Sequence, residues 1–212
     1  MSDIPQETNI TTPNSTSAAA SGSATGSSAD NKFMGQKERR RSSAVKMFLG
    51  DHLSLLSNQS VLKLMAKNND KEILFSDVIV KINKRHKMQD RIFLLTEGGV
   101  YNIDPNGYKC KRRIALKEIG SISLSKLPDN FFALQVPSEY DYLLVSSKKT
   151  EIVSKLLEAY EKATGKPLSV TFGNVFDYRV DQDTVREIQF SLVDGGVSTR
   201  IYTKKKSKDA KK

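Results

Sequence analysis

The fold of this chain is decided by a series of short apolar runs, which opens with Ile73-Leu-Phe-Ser-Asp-Val-Ile-Val80, Arg91-Ile-Phe-Leu-Leu-Thr96 and Val100-Tyr-Asn-Ile103. The runs are rich in β-branched and aromatic residues, and turn signals such as Glu97-Gly-Gly99 separate them. Further runs of the same kind follow at residues 110–116, 119–124, 131–136 and 142–145. This pattern predicts seven short antiparallel strands.

A helix is predicted directly after the seventh strand, at residues 149–163, where Gly165 and Pro167 end it. Its apolar stripe consists of Ile152, Leu156, Ala159, Tyr160 and Ala163. Seven strands followed by one amphipathic helix is the order of a pleckstrin-homology-like barrel, in which the helix closes an open end. The predicted fold class is therefore mainly β with helices.

Two smaller elements flank this barrel. Residues 58–68 carry apolar side chains at helical spacing, which predicts a short N-terminal helix. Strands are predicted at 168–178, 185–193 and 197–203, and we expect them to extend the barrel rather than form a separate domain.

The chain divides into three parts by composition. Residues 1–34 form a Ser/Thr/Ala-rich leader that is too polar to bury a core, and we predict that it is disordered. Residues 35–206 form the folded domain, and 207–212 a basic, disordered tail.

The positive charge is concentrated rather than spread. The formal net charge of the chain is +10, and four runs at residues 32–41, 81–91, 109–113 and 204–212 more than account for it. Such runs on a nearly neutral body indicate a polyanionic partner, which is an acidic membrane surface, a nucleic acid or an acidic protein. The alternative is that the charge only maintains solubility.

Several classes of protein do not fit the sequence. No run approaches the roughly 20 apolar residues of a membrane-spanning helix, and the N-terminus lacks the pattern of a secretory signal, so we expect a cytoplasmic protein. Lone Cys110 and two histidines do not supply a zinc site, and Cys110 is interpreted as an ordinary strand residue. With no phosphate-binding glycine loop either, we predict a protein without catalysis, metal or cofactor.

The most informative segment is the predicted turn between the first two strands of the barrel. It holds Lys84, Arg85 and Lys87, with Lys81 and Arg91 on its two stems. Cations gathered at the open end of a barrel suit phosphate groups, because lysine supplies a point charge and arginine a planar fork.

The sequence resembles the tail homology 1 domain of class I myosins from Gly35 to about residue 206. The resemblance rests on Gly35-Gln-Lys-Glu-Arg-Arg-Arg-Ser-Ser, Phe48-Leu-Gly-Asp51, Lys81-Ile-Asn-Lys-Arg, Asp90-Arg-Ile-Phe-Leu-Leu-Thr96, Tyr101-Asn-Ile103 and Val170-Thr-Phe-Gly-Asn174. It implies a pleckstrin-homology-like fold that binds anionic phospholipids, including phosphoinositides, through the loop between its first two strands. By position, it assigns the paired basic residues of that pocket to Lys81 and Arg91 and the loop cations to Lys84, Arg85 and Lys87.

The resemblance does not extend to a motor or to calmodulin-binding helices, neither of which is found before Gly35. We therefore expect a free-standing module that binds anionic phospholipids at the plasma membrane or cell cortex, with actin-cortex or myosin-associated proteins as further partners. The alternatives are a protein-interaction scaffold and a nucleic-acid-binding protein. The second is disfavoured because no aromatic residue lies between Lys81 and Arg91 to stack on bases.

Other basic residues are assigned to an auxiliary surface, and these are Arg39, Arg40, Arg41, Lys109, Lys111, Arg112 and Arg113. Ser42 and Ser43, directly after three arginines, are candidate phosphorylation sites for a basophilic kinase, and a phosphate there would offset part of the local charge. Equally, either serine could cap a helix that begins at Ala44.

Overall fold

The computed structural model describes residues 8–13 and 50–204. Its twelve strands are β1 (Thr8–Pro13), β2 (Ile73–Ile82), β3 (Met88–Thr96), β4 (Gly99–Ile103), β5 (Cys110–Ala115), β6 (Ser121–Leu124), β7 (Phe131–Gln135), β8 (Tyr142–Val145), β9 (Ser169–Phe172), β10 (Val175–Arg179), β11 (Val185–Val193) and β12 (Gly196–Lys204). Its two α-helices are α1 (Gln59–Lys67) and α2 (Lys149–Thr164).

Strands β2 to β8 form the predicted barrel. They lie in one eight-stranded sheet with the order β5-β4-β3-β2-β8-β7-β6-β9, in which every pair from β2 to β8 is antiparallel. One face of each strand contributes to a single core, so the sheet curls around that core. Phe75, Phe132 and Leu156 of α2 are all completely buried there. The pleckstrin-homology-like order of seven strands and one helix is confirmed.

Both ends of α2 are fixed by local interactions. At its start, buried Lys149 donates to the carboxylate of buried Asp129 over 3.1 Å, which ties the helix to the β6–β7 loop. At its end, Gly165 has a φ of +69°, and its backbone N–H donates to the carbonyl oxygen of Glu161. A left-handed residue after the last turn favours glycine, as the sequence predicts.

Helix α1 packs on the outside of the barrel. The Asn58 side chain accepts hydrogen bonds from the backbone N–H groups of Ser60 and Val61, which caps the first turn. Val61 and Met65 then pack with the outer face of β3 and β4. The short N-terminal helix is confirmed.

The prediction of one strand over residues 168–178 is wrong, because the chain leaves the barrel in the middle of it. Strand β9 pairs in parallel with β6 at the barrel edge, whereas β10 begins a second sheet with the order β1-β12-β11-β10. Between them, the backbone N–H of Gly173 donates to the carbonyl of Leu124. The chain therefore extends the barrel only through β9.

The second sheet packs against the outer face of β2, β7 and β8. Ile188, Phe190 and Ile201 of the second sheet contact Phe131 and Leu143 of the barrel in a separate apolar cluster. The barrel is therefore covered on two outer faces, by α1 and by the second sheet.

Part of the leader that the sequence predicts to be disordered is a strand. Thr8–Pro13 pairs antiparallel with β12, from Thr8 opposite Ile201 to Pro13 opposite Gly196. The open edge of β12 offers backbone hydrogen bonds to a segment whose composition does not predict a strand. Residues 1–7, 14–49 and 205–212, with the rest of the leader and the basic tail, lie outside the described residues.

Candidate anion-binding site

Residues 83–87, which we call the cationic loop, connect β2 to β3 in a tight turn. The Asn83 side-chain oxygen accepts hydrogen bonds from the backbone N–H groups of Arg85 and Lys87 at 2.8 and 3.0 Å. The Asn83 backbone N–H donates to the carbonyl of Lys87, and His86 has a φ of +60°. This turn leaves the side chains of Lys84, Arg85 and Lys87 exposed, as predicted for loop cations.

Lys81 and Arg91 lie on the same face of neighbouring strands. In the β2–β3 register, Arg91 is opposite Ile79 and Lys81 is opposite Gln89. Directly opposed residues share a face, and Ile79 belongs to the barrel core, so both cations project from the inner face at the loop end of the barrel. The structure thus brings together the two residues that the resemblance pairs.

Arg112 of β5 joins them, although sequence analysis assigned it to an auxiliary surface. Its guanidinium carbon lies 3.9 Å from the ring centroid of Tyr140 and 4.6 Å from that of Tyr142. It also donates to the Tyr140 carbonyl at 2.9 Å and pairs with Glu139 at 2.7 Å. Lys81 Nζ lies 4.3 Å from the Tyr142 centroid, so the two cations share the same ring.

We call the group of Lys81, Arg91, Arg112, Tyr140 and Tyr142 the mouth. Burial, together with the charges of Arg112 and Arg91, lowers the pKa of Lys81 from 10.5 to about 8. The same burial raises the pKa of the Tyr142 hydroxyl, which stays neutral. The fold holds these cations close together, and their charges create a positive potential at the mouth. A bound anion would reduce the repulsion between them.

The other predicted cations of the run at 109–113 do not belong to the mouth. Lys109 is exposed, and Lys111 is exposed and paired with Asp104 at 3.0 Å. Arg113 lies on the opposite face of β5 from Arg112, where its guanidinium bonds the buried carboxylate of Asp70 at 3.2 Å. Arg113 therefore acts in the structure as a partner for a buried charge rather than as a surface cation.

The second sheet supports the cationic loop. Arg186 of β11 is 7% exposed, and its Nη2 donates to the carbonyl oxygen of Lys84 at 2.5 Å. Sequence analysis missed this contact, because the two residues are 102 positions apart and belong to different sheets.

The described part of the chain holds no group of three His, Cys, Asp or Glu side chains placed to bind a metal ion. Burial raises the pKa of the Cys110 thiol, which opposes activation as a nucleophile. None of the helices within residues 50–204 is both long and apolar enough to cross a bilayer. Arg39, Arg40, Arg41, Ser42 and Ser43 lie outside the described residues.

Comparison with known proteins identifies the family. A family described as "Unconventional myosin tail, actin- and lipid-binding" matches residues 39–211. The myosin heavy chain IB of Acanthamoeba castellanii is 33% identical over 165 residues, which cover 74% of this chain and 14% of that protein. The unconventional myosin-Ia of Mus musculus is 30% identical over 185 residues, which cover 84% of this chain and 18% of that protein.

Among solved structures, the C-terminal PH domain of human pleckstrin matches with a TM-score of 0.35 at 19% identity, covering 43% of this chain and 91% of that chain. The present chain spans less than a fifth of the length of the two myosins. The family match, however, includes the barrel, the cationic loop and strands β9 to β12. This chain therefore belongs to the unconventional myosin tail family, whose tail homology 1 domain is described as actin- and lipid-binding.

Proposed function

We propose that this chain is a non-enzymatic module that binds anionic phospholipids, including phosphoinositides, at the cytosolic face of the plasma membrane. The observation that carries the proposal is the convergence of Lys81, Arg91 and Arg112 at the mouth, beside a loop that exposes three further cations. Because the family description also names actin, we propose the actin cortex as the cellular setting.

The two groups of cations have different tasks in this proposal. Arg91 and Arg112 at the mouth offer planar forks to the phosphate monoester of a headgroup, with Lys81 as a point charge between the strands. Lys84, Arg85 and Lys87 are exposed, and they act through the negative surface potential of the membrane. The mouth would determine which lipid headgroup is preferred, and the cationic loop would attract the chain to any anionic membrane surface.

The tyrosines of the mouth do not favour the nucleic-acid alternative. Tyr142 is 1% exposed, and Lys81 and Arg112 lie over its ring. A base-stacking surface needs a free aromatic face, which this ring does not offer.

The test is co-sedimentation with vesicles of neutral lipid, of phosphatidylserine and of phosphatidylinositol 4,5-bisphosphate, at several salt concentrations. Each loop cation contributes on the order of 1 kcal/mol near an acidic surface. The Lys84→Ala/Arg85→Ala/Lys87→Ala variant should therefore bind both anionic vesicles about two decades more weakly. Arg91→Ala should remove the preference for the phosphoinositide and leave residual attraction to phosphatidylserine.

A charge-matched control comes from three exposed lysines outside the loop and the mouth, at Lys67, Lys117 and Lys162. Their triple alanine variant lowers the net charge by the same amount and should bind nearly as the wild type does. Equal losses in the two triple variants would show that net charge alone drives attachment and would overturn the site. Unchanged vesicle binding in the loop variant would overturn it as well.

A further inference from the structure

A cavity of about 310 Å³ lies beside the mouth, at the junction between the barrel and the second sheet. Its walls are the cationic loop, the β7–β8 loop and the β10–β11 turn, and we call it the crevice. Lys81 and Tyr140 of the mouth line it, whereas Arg91, Arg112 and Tyr142 do not, so the crevice adjoins the mouth and extends beyond it. Its volume is at the lower end of the range of small-molecule sites.

Two buried donors next to the crevice lack acceptors. Tyr178 is 2% exposed and lines the crevice, and its hydroxyl makes no hydrogen bond with any residue that the structure describes. The same is true of Nε of Arg186, which lies near it. Burial raises the pKa of the Tyr178 hydroxyl, and the nearby Arg186 opposes that rise. Since buried donors are nearly always paired, these two indicate where an acceptor is expected.

The charged groups of the crevice lie on separate walls. Lys81 and Lys84 belong to the β2 side, and Asp141 faces them from the β7–β8 loop. Both Asp141 oxygens accept backbone hydrogen bonds, one from Val136 at 2.8 Å and one from Arg179 at 2.7 Å. The carboxylate is thus held in place by the fold.

Asp181, on the β10–β11 turn, is the second carboxylate. Its Oδ1 accepts hydrogen bonds from the backbone N–H groups of Asp183 and Thr184 at 3.0 and 2.8 Å. Hydrogen bonds from Thr184 and Asp183, with a smaller contribution from the charge of Lys84, lower the pKa of Asp181, so it is ionised at neutral pH. The crevice therefore presents cations and carboxylates to the same small volume.

This combination selects a particular ligand chemistry. A phosphate group accepts from lysines and from the Tyr178 hydroxyl, whereas ionised carboxylates accept hydrogen bonds and repel a bare phosphate. A phosphorylated polyol satisfies both, because its ring hydroxyls donate to the carboxylates. We propose that the crevice is a second binding site, for a phosphorylated polyol such as an inositol phosphate, next to the mouth.

The probe is soluble inositol 1,4,5-trisphosphate, titrated into the full chain and followed by the amide NMR signals of Ile82 and Val180, which line the crevice. We expect saturable shifts of both signals. Tyr178→Phe should weaken this binding about tenfold, because it removes one hydrogen bond to a charged group. Arg91 does not line the crevice, so Arg91→Ala should weaken binding at these signals less than Tyr178→Phe does.

The control is Tyr202→Phe, which removes a hydroxyl from the same sheet outside the crevice and should leave binding unchanged. Since the Tyr178 hydroxyl is unpaired among the described residues, Tyr178→Phe should retain the wild-type melting temperature. If that variant fails to fold, Val180→Trp replaces it, because an indole at the rim would fill the crevice. Absence of shifts at Ile82 and Val180, or shifts that only Arg91→Ala weakens, would overturn the inference.

Vesicles containing phosphatidylinositol 4,5-bisphosphate distinguish the two sources of this chemistry. If Tyr178→Phe weakens both trisphosphate and vesicle binding, the ligand is a lipid headgroup, and if only trisphosphate binding weakens, it is a soluble inositol phosphate. The inference stands beside the proposed membrane function and shares Lys81, Lys84 and Tyr140 with it. Vesicle binding that is unaffected by Arg91→Ala and by the loop variant would overturn the membrane proposal without affecting the crevice.

Discussion

Arg186 of β11 donates a hydrogen bond from Nη2 to the carbonyl oxygen of Lys84, and through it the second sheet holds the backbone of the cationic loop. The Lys84 side chain stays exposed, so the contact orders the loop without using its charge. A loop that is already ordered in the free protein loses less conformational entropy when the ligand binds. The second sheet therefore has a direct connection to the candidate site.

Arg186→Ala should loosen the cationic loop and weaken attachment to phosphoinositide vesicles. The variant removes a hydrogen bond from a charged donor to the Lys84 carbonyl, which costs about 1.5–3 kcal/mol in the free energy of unfolding. Hydrogen exchange at the amides of residues 83–87 should accelerate more than exchange in α2. Arg200→Ala, an exposed arginine on β12, is the control. Loop exchange at the wild-type rate in Arg186→Ala would contradict the supporting role.

The affinity for phosphoinositide vesicles should fall as the pH rises through about 8. Lys81 has a pKa of about 8, because burial and the neighbouring arginines disfavour its charged form, so it loses its proton in this range. Lys81→Arg keeps its charge at every accessible pH and should bind with little pH dependence between pH 7 and 9.5. Co-sedimentation at each pH measures the vesicle affinity of the wild type and of Lys81→Arg. If the affinities of these two proteins changed in parallel with pH, Lys81 would be excluded as the titrating group.

The lowered pKa of Lys81 also predicts that stability changes with pH in the opposite direction to vesicle affinity. Between pH 8 and its ordinary pKa of 10.5, Lys81 is largely deprotonated in the folded chain and protonated in the unfolded chain. The unfolded state then binds more protons, and the contribution of Lys81 to the free energy of unfolding increases with pH. Urea denaturation should show the wild type gaining stability relative to Lys81→Met from pH 8 to pH 10. A difference that is constant over this range would contradict the lowered pKa.

The ion pair of Lys149 and Asp129 should be necessary for the stability of the barrel. Both side chains are almost fully buried, and Asp129 also accepts hydrogen bonds from Ser125 and from the backbone of Phe131. Lys149→Met leaves a buried carboxylate without its cation, and we expect a loss of about 3–5 kcal/mol in urea denaturation. Replacing the exposed Lys162 of the same helix should cost less than 1 kcal/mol. Equal effects of the two substitutions would show that the pair contributes little.

The sequence predicts the barrel well because its signals are local. Alternation, turn residues and helical spacing each act over a few residues, as in α2 with Gly165 after its last turn. The break between β9 and β10 is different, because it depends on Gly173 bonding to Leu124 and on pairing with distant β6 and β11. Gly173-Asn174 is a local turn signal within this run, but it does not indicate that the two halves join different sheets.

Part of the candidate site could be predicted because that part also depends on signals that are local in sequence. The register places Lys81 and Arg91 on one face, which their spacing about a hairpin already suggests. Arg112 is different, since its approach to the mouth depends on the β7–β8 loop, which supplies Tyr140. Alternation along β5 could have separated Arg112 from Arg113 if the inner face of that strand had been assigned.

Arg112 and Arg113 are neighbours in sequence, and their alanine variants should have different effects. Arg112→Ala removes a cation from the mouth, so we expect weaker binding to phosphoinositide vesicles, by about tenfold, as for one hydrogen bond to a charged group. Arg113→Ala instead leaves the buried carboxylate of Asp70 with only its hydroxyl donors, Thr96 and Tyr101, and should cost roughly 2 kcal/mol of unfolding free energy. Its vesicle binding, measured where the variant is fully folded, should match the wild type. If Arg113→Ala weakened vesicle binding as much as Arg112→Ala, the two faces of β5 would not have the separate roles that the register of Arg113 with Tyr101 implies.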